Sequence, residues 1–191
     1  MKNSNSKFNN FKFSSKSNKE IKNILSKYPS NRKESGVLPI LDLAQRDCGG
    51  WLPMEVIEKV AEVIGMPQIR VLEIASFYSM FNLKPVGKYH LQLCSTTPCW
   101  LRGSDDILRA IKDELKLNLG DTSDDGLFTL TKVECLGACV NAPILQVNDD
   151  FYEDLDYSSS IQILKNFKSG KNNKVGSVKN RSSEPENITN S

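Results

Sequence analysis

Four of the five cysteines in this chain form two short-range pairs, Cys94-x4-Cys99 and Cys135-x3-Cys139, and each pair follows a stretch with the period of a strand. Before the first pair, Tyr89, Leu91 and Leu93 alternate with His90 and Gln92. Before the second, Phe128 and Leu130 alternate with Thr129 and Thr131 on the way to Val133. Alternation of this kind predicts β-strands, because successive side chains of a strand point to opposite faces. If the two strands are neighbours in one sheet, both loops emerge on the same edge and four thiols converge. Few folds meet that requirement.

The chemistry such a convergence suits is a 2Fe-2S cluster, which needs four thiolates arranged as two tetrahedral iron corners. Cys94, Cys99, Cys135 and Cys139 are therefore the candidate metal and cofactor ligands, with no catalytic acid or base among the candidates. Gly137 and Ala138 are small enough to let backbone amides approach cluster sulfurs, a lever on reduction potential, and Gly103 is a further candidate for that role. A structural zinc site also takes four cysteines, although its knuckles are usually tighter, so a zinc-stabilised interaction module stays open as a different class of function. Four merely core cysteines are the bland alternative. A C-x-x-C thiol pair is absent.

His90 is the only histidine, which excludes both a Rieske centre and a two-Cys, two-His zinc finger within one chain. It shares a strand face with Lys88 and Gln92 and is expected to be exposed rather than a ligand. Cys48 extends a helical stripe four residues beyond Ala44 and is expected to be a buried, inert thiol. The run Phe77-Tyr78-Ser79-Met80-Phe81, with Trp51 and Trp100, is expected in the core, Trp100 being placed to shield a cluster from water. No G-x-G-x-x-G or Walker sequence exists, so no nucleotide site is expected on this chain.

Ahead of the strands, apolar residues repeat at helical spacing four times: Ile21, Ile24, Leu25, Tyr28; Val37, Ile40, Leu41, Ala44; Ile57, Val60, Ala61, Ile64; and Val71, Ile74, Ala75, Tyr78. Gly49-Gly50 and Gly65 read as stops, Pro53 and Pro67 as starts. Past Gly87 the order strand, helix capped by Ser104 and running to about Leu117, strand, hairpin about Asn148-Asp149-Asp150, and a last helix through Ile161, Leu164 and Phe167 is that of a thioredoxin-like core. The expected class is α+β: residues 1–19 a disordered tail, 20–84 a helical bundle, 85–170 a thioredoxin-like α/β 2Fe-2S domain, and 171–191 a second disordered tail.

Of 191 residues, 39% are hydrophobic and 25% charged, ordinary for a soluble globular chain, and the net charge of +2 comes without a basic patch interleaved with aromatics, so nucleic acid is not an expected partner. No apolar run is long enough for a membrane span or a secretory signal, which predicts a soluble intracellular protein with reduced cysteines. The first 19 residues lack acids, as a mitochondrial transit peptide would, but also lack arginine. Asn187-Ile188-Thr189 fits the glycosylation pattern only by chance on this reading.

Five stretches carry a family resemblance: Gly50-Trp51-Leu52-Pro53, Phe77 to Phe81, Pro85-Val86-Gly87-Lys88-Tyr89, Thr97-Pro98-Cys99-Trp100-Leu101-Arg102-Gly103-Ser104-Asp105, and Val133-Glu134-Cys135-Leu136-Gly137-Ala138-Cys139-Val140-Asn141-Ala142-Pro143. Together, from about Ile21 to Gly170, they resemble the thioredoxin-like 2Fe-2S subunit of respiratory complex I, the NADH:quinone (ubiquinone) oxidoreductase. The resemblance implies that Cys94, Cys99, Cys135 and Cys139 are ligands of one 2Fe-2S cluster, with Cys48 outside the motif. It implies docking onto a neighbouring subunit that binds NADH and FMN, from which the cluster takes single electrons. It places the chain in the bacterial cytoplasm, peripheral on the inner membrane through the complex, or alternatively on the matrix side of the mitochondrial inner membrane. Related subunits also serve NAD-dependent hydrogenases and formate dehydrogenases, which stay open as the alternative, while the run from Thr97 to Ser104 favours complex I.

Overall fold

The computed structural model describes residue 8 and residues 11–181. The chain divides into two compact units, Met1 to Val86 and Gly87 to Ser191.

Among the described residues the first unit has four α-helices, α1 (Ser15–Ser26), α2 (Val37–Asp47), α3 (Met54–Ile64) and α4 (Gln68–Phe77), with a 3-10 turn (Lys33–Gly36) ahead of α2. Their apolar stripes close on one core containing Ile21, Ile40, Leu41, Ala44, Val56, Ile57, Val60 and Val71, and that mutual burial is what makes helices of three turns stable. Pro53 and Pro67 precede α3 and α4, and Gly65 ends α3 at φ 79°, a left-handed conformation that other residues adopt at a cost. Cys48 follows α2 in this core, as its place in the stripe predicts.

The aromatic run departs from expectation. α4 stops at Phe77, so the helical period that would bury its successors stops too: Phe77 is 81% exposed, Met80 53%, and only Phe81 returns to the core. Gln45 holds this turn by donating to the Met80 carbonyl and accepting from the Asn82 amide. Trp51 is partly buried, with its ring edge-on to Phe8.

The second unit is a five-stranded sheet in the order β2-β1-β3-β4-β5. β1 (Tyr89–Cys94) lies between parallel β2 (Phe128–Val133) and antiparallel β3 (Leu145–Val147); β4 (Asp150–Glu153) completes a hairpin with β3, and β5 (Gly176–Ser177) runs parallel to β4. The hairpin turn needs a left-handed residue and has Asn148 at φ 55°. Helices α5 (Thr97–Leu101), α6 (Ser104–Leu115) and α7 (Tyr157–Lys168) complete the unit. Leu91, Leu93, Leu130 and Leu145 from the sheet share a core with Ile107 and Ile111 of α6 and Ile163 and Leu164 of α7. Close approach of the chain ahead of β1 to β2 depends on Gly87, where a Cβ would lie 2.7 Å from the Phe128 carbonyl carbon.

Four details correct the sequence reading. α1 begins at Ser15, inside the stretch expected to be disordered, because Ser14 caps it by accepting the Ser17 amide. Residues 171–181 likewise carry structure, β5 and an Arg181 ion pair with Asp154. Ser104 opens α6 rather than capping it; Gly103 holds the cap position at φ 103°. His90 is buried, because β1 is an interior strand, and its Nε2 pairs with Thr131 Oγ1 at 2.7 Å on the same face of β2. Burial lowers its pKa. The Asn187-Ile188-Thr189 pattern and the remaining terminal residues of both expected tails lie outside the described residues.

Candidate metal centre

The register of β1 on β2 decides where the cysteines go. The strands are parallel and Cys94 pairs with Val133, so the chain leaves both at the same edge, with Cys135 two residues farther on. From Cys94 the chain turns through Ser95 and Thr96 into α5, which carries Cys99; from Cys135 it loops through Gly137 at φ 80° into a short 3-10 turn, Cys139–Asn141. Cys99 is therefore helical rather than on a loop.

The first pair is buried, with Cys94 and Cys99 each 1% exposed in a small apolar cluster with Ala142 and Ile144. The second pair is exposed. Cys135 Sγ and Cys139 Sγ lie 3.4 Å apart, and the Gly137 amide donates to Cys135 Sγ at 3.4 Å. The Thr96 hydroxyl lies 3.4 Å from Cys94 Sγ. All five thiols are free.

Electrostatics differ thiol by thiol. Burial drives Cys99 up to about 12, reinforced by its bond with Cys94, against a donated Ile144 amide. Burial pushes Cys94 the same way, but bonds from Thr96, Cys99 and Leu136 outweigh it and bring the thiol below its ordinary value. The Gly137 amide and Cys139 lower Cys135, and the same bond raises Cys139. Within each pair one thiol is thus shifted down and the other up. Cys48, in the other unit, is pushed up to about 12 by burial and by Asp47.

Soft thiolate donors suit iron or zinc, and amides aimed at sulfur favour the ionised form that a metal requires. Among the described residues, no three or more His, Cys, Asp or Glu side chains are arranged to hold a single metal ion. The four sulfurs stand two and two, a donor set that fits a two-iron cluster. Trp100 follows Cys99 but is 57% exposed, because α5 turns its Cys99 side inward; it does not belong to the core that was expected. Sequence reasoning missed Thr96, whose signal was only a hydroxyl two residues after a cysteine, and it missed the polar contacts behind Cys139 altogether.

Residues 21–168 match the model of the thioredoxin-like 2Fe-2S ferredoxins. The chain belongs to that family. An NADH-quinone oxidoreductase subunit of Rickettsia conorii is 54% identical over 160 residues, covering 84% of this chain and 96% of that one. The mitochondrial NADH dehydrogenase (ubiquinone) flavoprotein 2 of Dictyostelium discoideum is 46% identical over 166 residues, 87% of this chain and 67% of that one. Among solved structures, an air-oxidised NAD+-reducing NiFe-hydrogenase matches with TM-score 0.62 at 16% identity, over 71% of this chain and 23% of that chain, a likeness of fold. Membership of this family implies a 2Fe-2S cluster and an α/β fold of the thioredoxin type.

Proposed function

We propose that this chain is the electron-transfer subunit of an NADH:quinone oxidoreductase, respiratory complex I, and that Cys94, Cys99, Cys135 and Cys139 hold one 2Fe-2S cluster. The observation that carries the proposal is the emergence of both cysteine pairs at one edge of adjacent parallel strands. Identity of 46–57% to relatives named as NADH-quinone oxidoreductase subunits and NADH dehydrogenase flavoprotein 2 favours this over the hydrogenase equivalent, whose structural neighbour is 16% identical.

When bound, the cluster would store one electron at a time. The chain's own residues would do the rest: Cys94, Cys99, Cys135 and Cys139 would hold the group, the Gly137 amide, which donates to Cys135 Sγ, would favour its reduced state, and the core around Cys94 and Cys99 would keep water from one side. A hydride donor and its flavin belong on this reading to the adjacent NADH- and FMN-binding subunit, since this chain has no dinucleotide fingerprint. Residues 20–84 then form a helical bundle domain and 85–170 the cluster domain, extended by the ordered segment to Arg181. Among the described residues no helix is long and apolar enough to cross a membrane, in keeping with a peripheral subunit on the cytoplasmic or matrix face.

Anaerobic purification tests the proposal. The chain should be brown, contain iron and sulfide in equal amounts without zinc, bleach with dithionite, give an EPR signal when reduced, and oxidise NADH only after the flavoprotein subunit is added. A colourless zinc protein, or NADH oxidation by the flavin-free chain alone, would overturn it.

A further inference from the structure

The turn that carries Cys139 is exposed, yet its backbone is held from behind by a polar network that reaches to the end of the described chain. Asn141, 1% exposed, accepts the Asp154 amide at its carbonyl (2.7 Å), and its Nδ2 donates to Glu153 Oε2 (2.7 Å). Asp154 has a fully buried carboxylate in a left-handed backbone position, φ 56°. Arg181 forks onto it, Nε to Oδ2 at 3.0 Å and Nη2 to Oδ1 at 2.6 Å, and the same Nη2 donates to the Val140 carbonyl at 2.9 Å. Ser177 Oγ donates to Asp154 Oδ2 at 2.6 Å and accepts the amides of Lys179 and Arg181, so β5 and the residues after it are folded around one carboxylate.

Neutralising Asp154 alone would need a single cation on the carboxylate. The contact to Val140 is a different kind of bond: it fixes the peptide between Val140 and Asn141, one residue beyond Cys139 and inside its turn. We propose that the segment from Lys174 to Arg181 is a clasp that positions the Cys139 side of the cysteine site, with Arg181 as its positioning residue; the role of the clasp toward a cluster rests on the ligand assignment above. The first pair needs no such device, being packed in its own core. The second pair is exposed, although Leu136 and Ala138 between its cysteines pack against that core, and a planar guanidinium with five donors is the side chain able to grip a carboxylate and a carbonyl together. Lysine in its place would keep the charge and lose the fork.

The experiment uses the full chain, anaerobically reconstituted, as wild type, Arg181→Ala, Arg181→Lys and the core control Ile163→Val on α7. Relative to wild type, Arg181→Ala should lose visible absorbance to an iron chelator about tenfold faster and shift the EPR signal of the reduced protein, as loss of a group supporting a ligand does. Arg181→Lys should fall between, and Ile163→Val should match wild type. In cluster-free protein, the Asn141 and Ala142 amides, which close the turn on Ala138 and Cys139, should exchange hydrogen about tenfold faster in Arg181→Ala. Unchanged exchange with unchanged cluster lifetime overturns the clasp, as does a lifetime that follows melting temperature equally in Arg181→Ala and Ile163→Val. If wild type takes up no iron, the ligand assignment fails instead, and exchange alone decides whether the clasp holds the turn.

Discussion

Cys94 and Cys99 are sealed in an apolar pocket at the end of an interior strand, whereas Cys135 and Cys139 stand in solvent on a loop fixed by hydrogen bonds. Packing positions the first pair: β1 is flanked on both sides, α5 folds back at once, and Ala142 and Ile144 fill the gap. The second pair keeps some of that packing through Leu136 and Ala138 but has its own thiols outside it, and its turn is held by amides, Asn141, Asp154 and Arg181. Two routes to the same precision thus meet at one sheet edge. Burial resists local opening because it exposes apolar surface, while a hydrogen-bonded loop is cheap to open and cheap to adjust.

The largest effect separates the two pairs from Cys48 and then from each other. Alanine at Cys94, Cys99, Cys135 or Cys139 should abolish the visible spectrum, while Cys48→Ser should keep it. In cluster-free protein the pairs should part: Cys94→Ala or Cys99→Ala leaves a small cavity and lowers stability by about 1 kcal/mol, whereas Cys135→Ala and Cys139→Ala leave the melting temperature unchanged. Equal melting for all four would erase the contrast.

Thiol reactivity should sharpen it next. At pH 8 a thiol raised to about 12, as Cys48 and Cys99 are, is ionised in about one molecule in ten thousand, and both are buried as well. Cys135 is exposed and lowered. Iodoacetamide on cluster-free protein, followed by peptide mass spectrometry, should label Cys135 at least about tenfold faster than Cys99 or Cys48. Labelling of Cys99 first would mean that the pocket is open.

Both pairs need parallel β1 and β2, and Gly87 sits where that pairing begins. Gly87→Ala places a Cβ 2.7 to 2.9 Å from backbone atoms of Leu127 and Phe128, which cannot give way as a side chain could. The expected cost is about 1 to 3 kcal/mol, read as a lower urea midpoint of the cluster-free chain.

What the sequence made legible follows the same division. Strand period placed β1 and β2, helical period placed the stripes of α2 and α3, and the cysteine spacing placed all four thiols at one edge, because burial writes a periodic signal. Polar support writes none. Thr96, Asn141, Asp154 and Arg181 are ordinary residues in the chain, and their roles come from contacts 12 to 41 positions apart, among them Asn141 to Glu153 and Arg181 to Val140. The segment after Gly170 looked disordered for that reason: little in its composition is apolar, and the group that orders it, the Asp154 carboxylate, lies elsewhere in the chain. His90 was misplaced because one strand cannot report that it has neighbours on both sides. Trp100 and Phe77 were misplaced because aromatic identity predicts burial only while the periodic element continues.

The smallest expected effect belongs to acid. Burial would raise Asp154, but the bonds from Arg181 and Ser177 outweigh it and hold the folded carboxyl below its ordinary value. Unfolded, an aspartate titrates near 3.9, approximately the model-peptide value. Folding therefore favours the ionised form, so this stabilisation is complete above roughly pH 5 and is lost as pH falls through the unfolded value and then the folded one. Arg181 is 45% exposed, so solvent screens the pair and keeps the effect modest. Asp154→Asn isolates the charge, since asparagine also tolerates the left-handed backbone at φ 56°. Wild type should melt above Asp154→Asn at pH 7, and the gap should narrow below about pH 4 as the wild-type carboxylate takes up its proton. Asp156, also lowered, by Ser159, is present in both proteins and cancels. A gap that stays constant from pH 7 to pH 3 would mean that Asp154 acts through shape alone, and the clasp would then owe nothing to its ion pair.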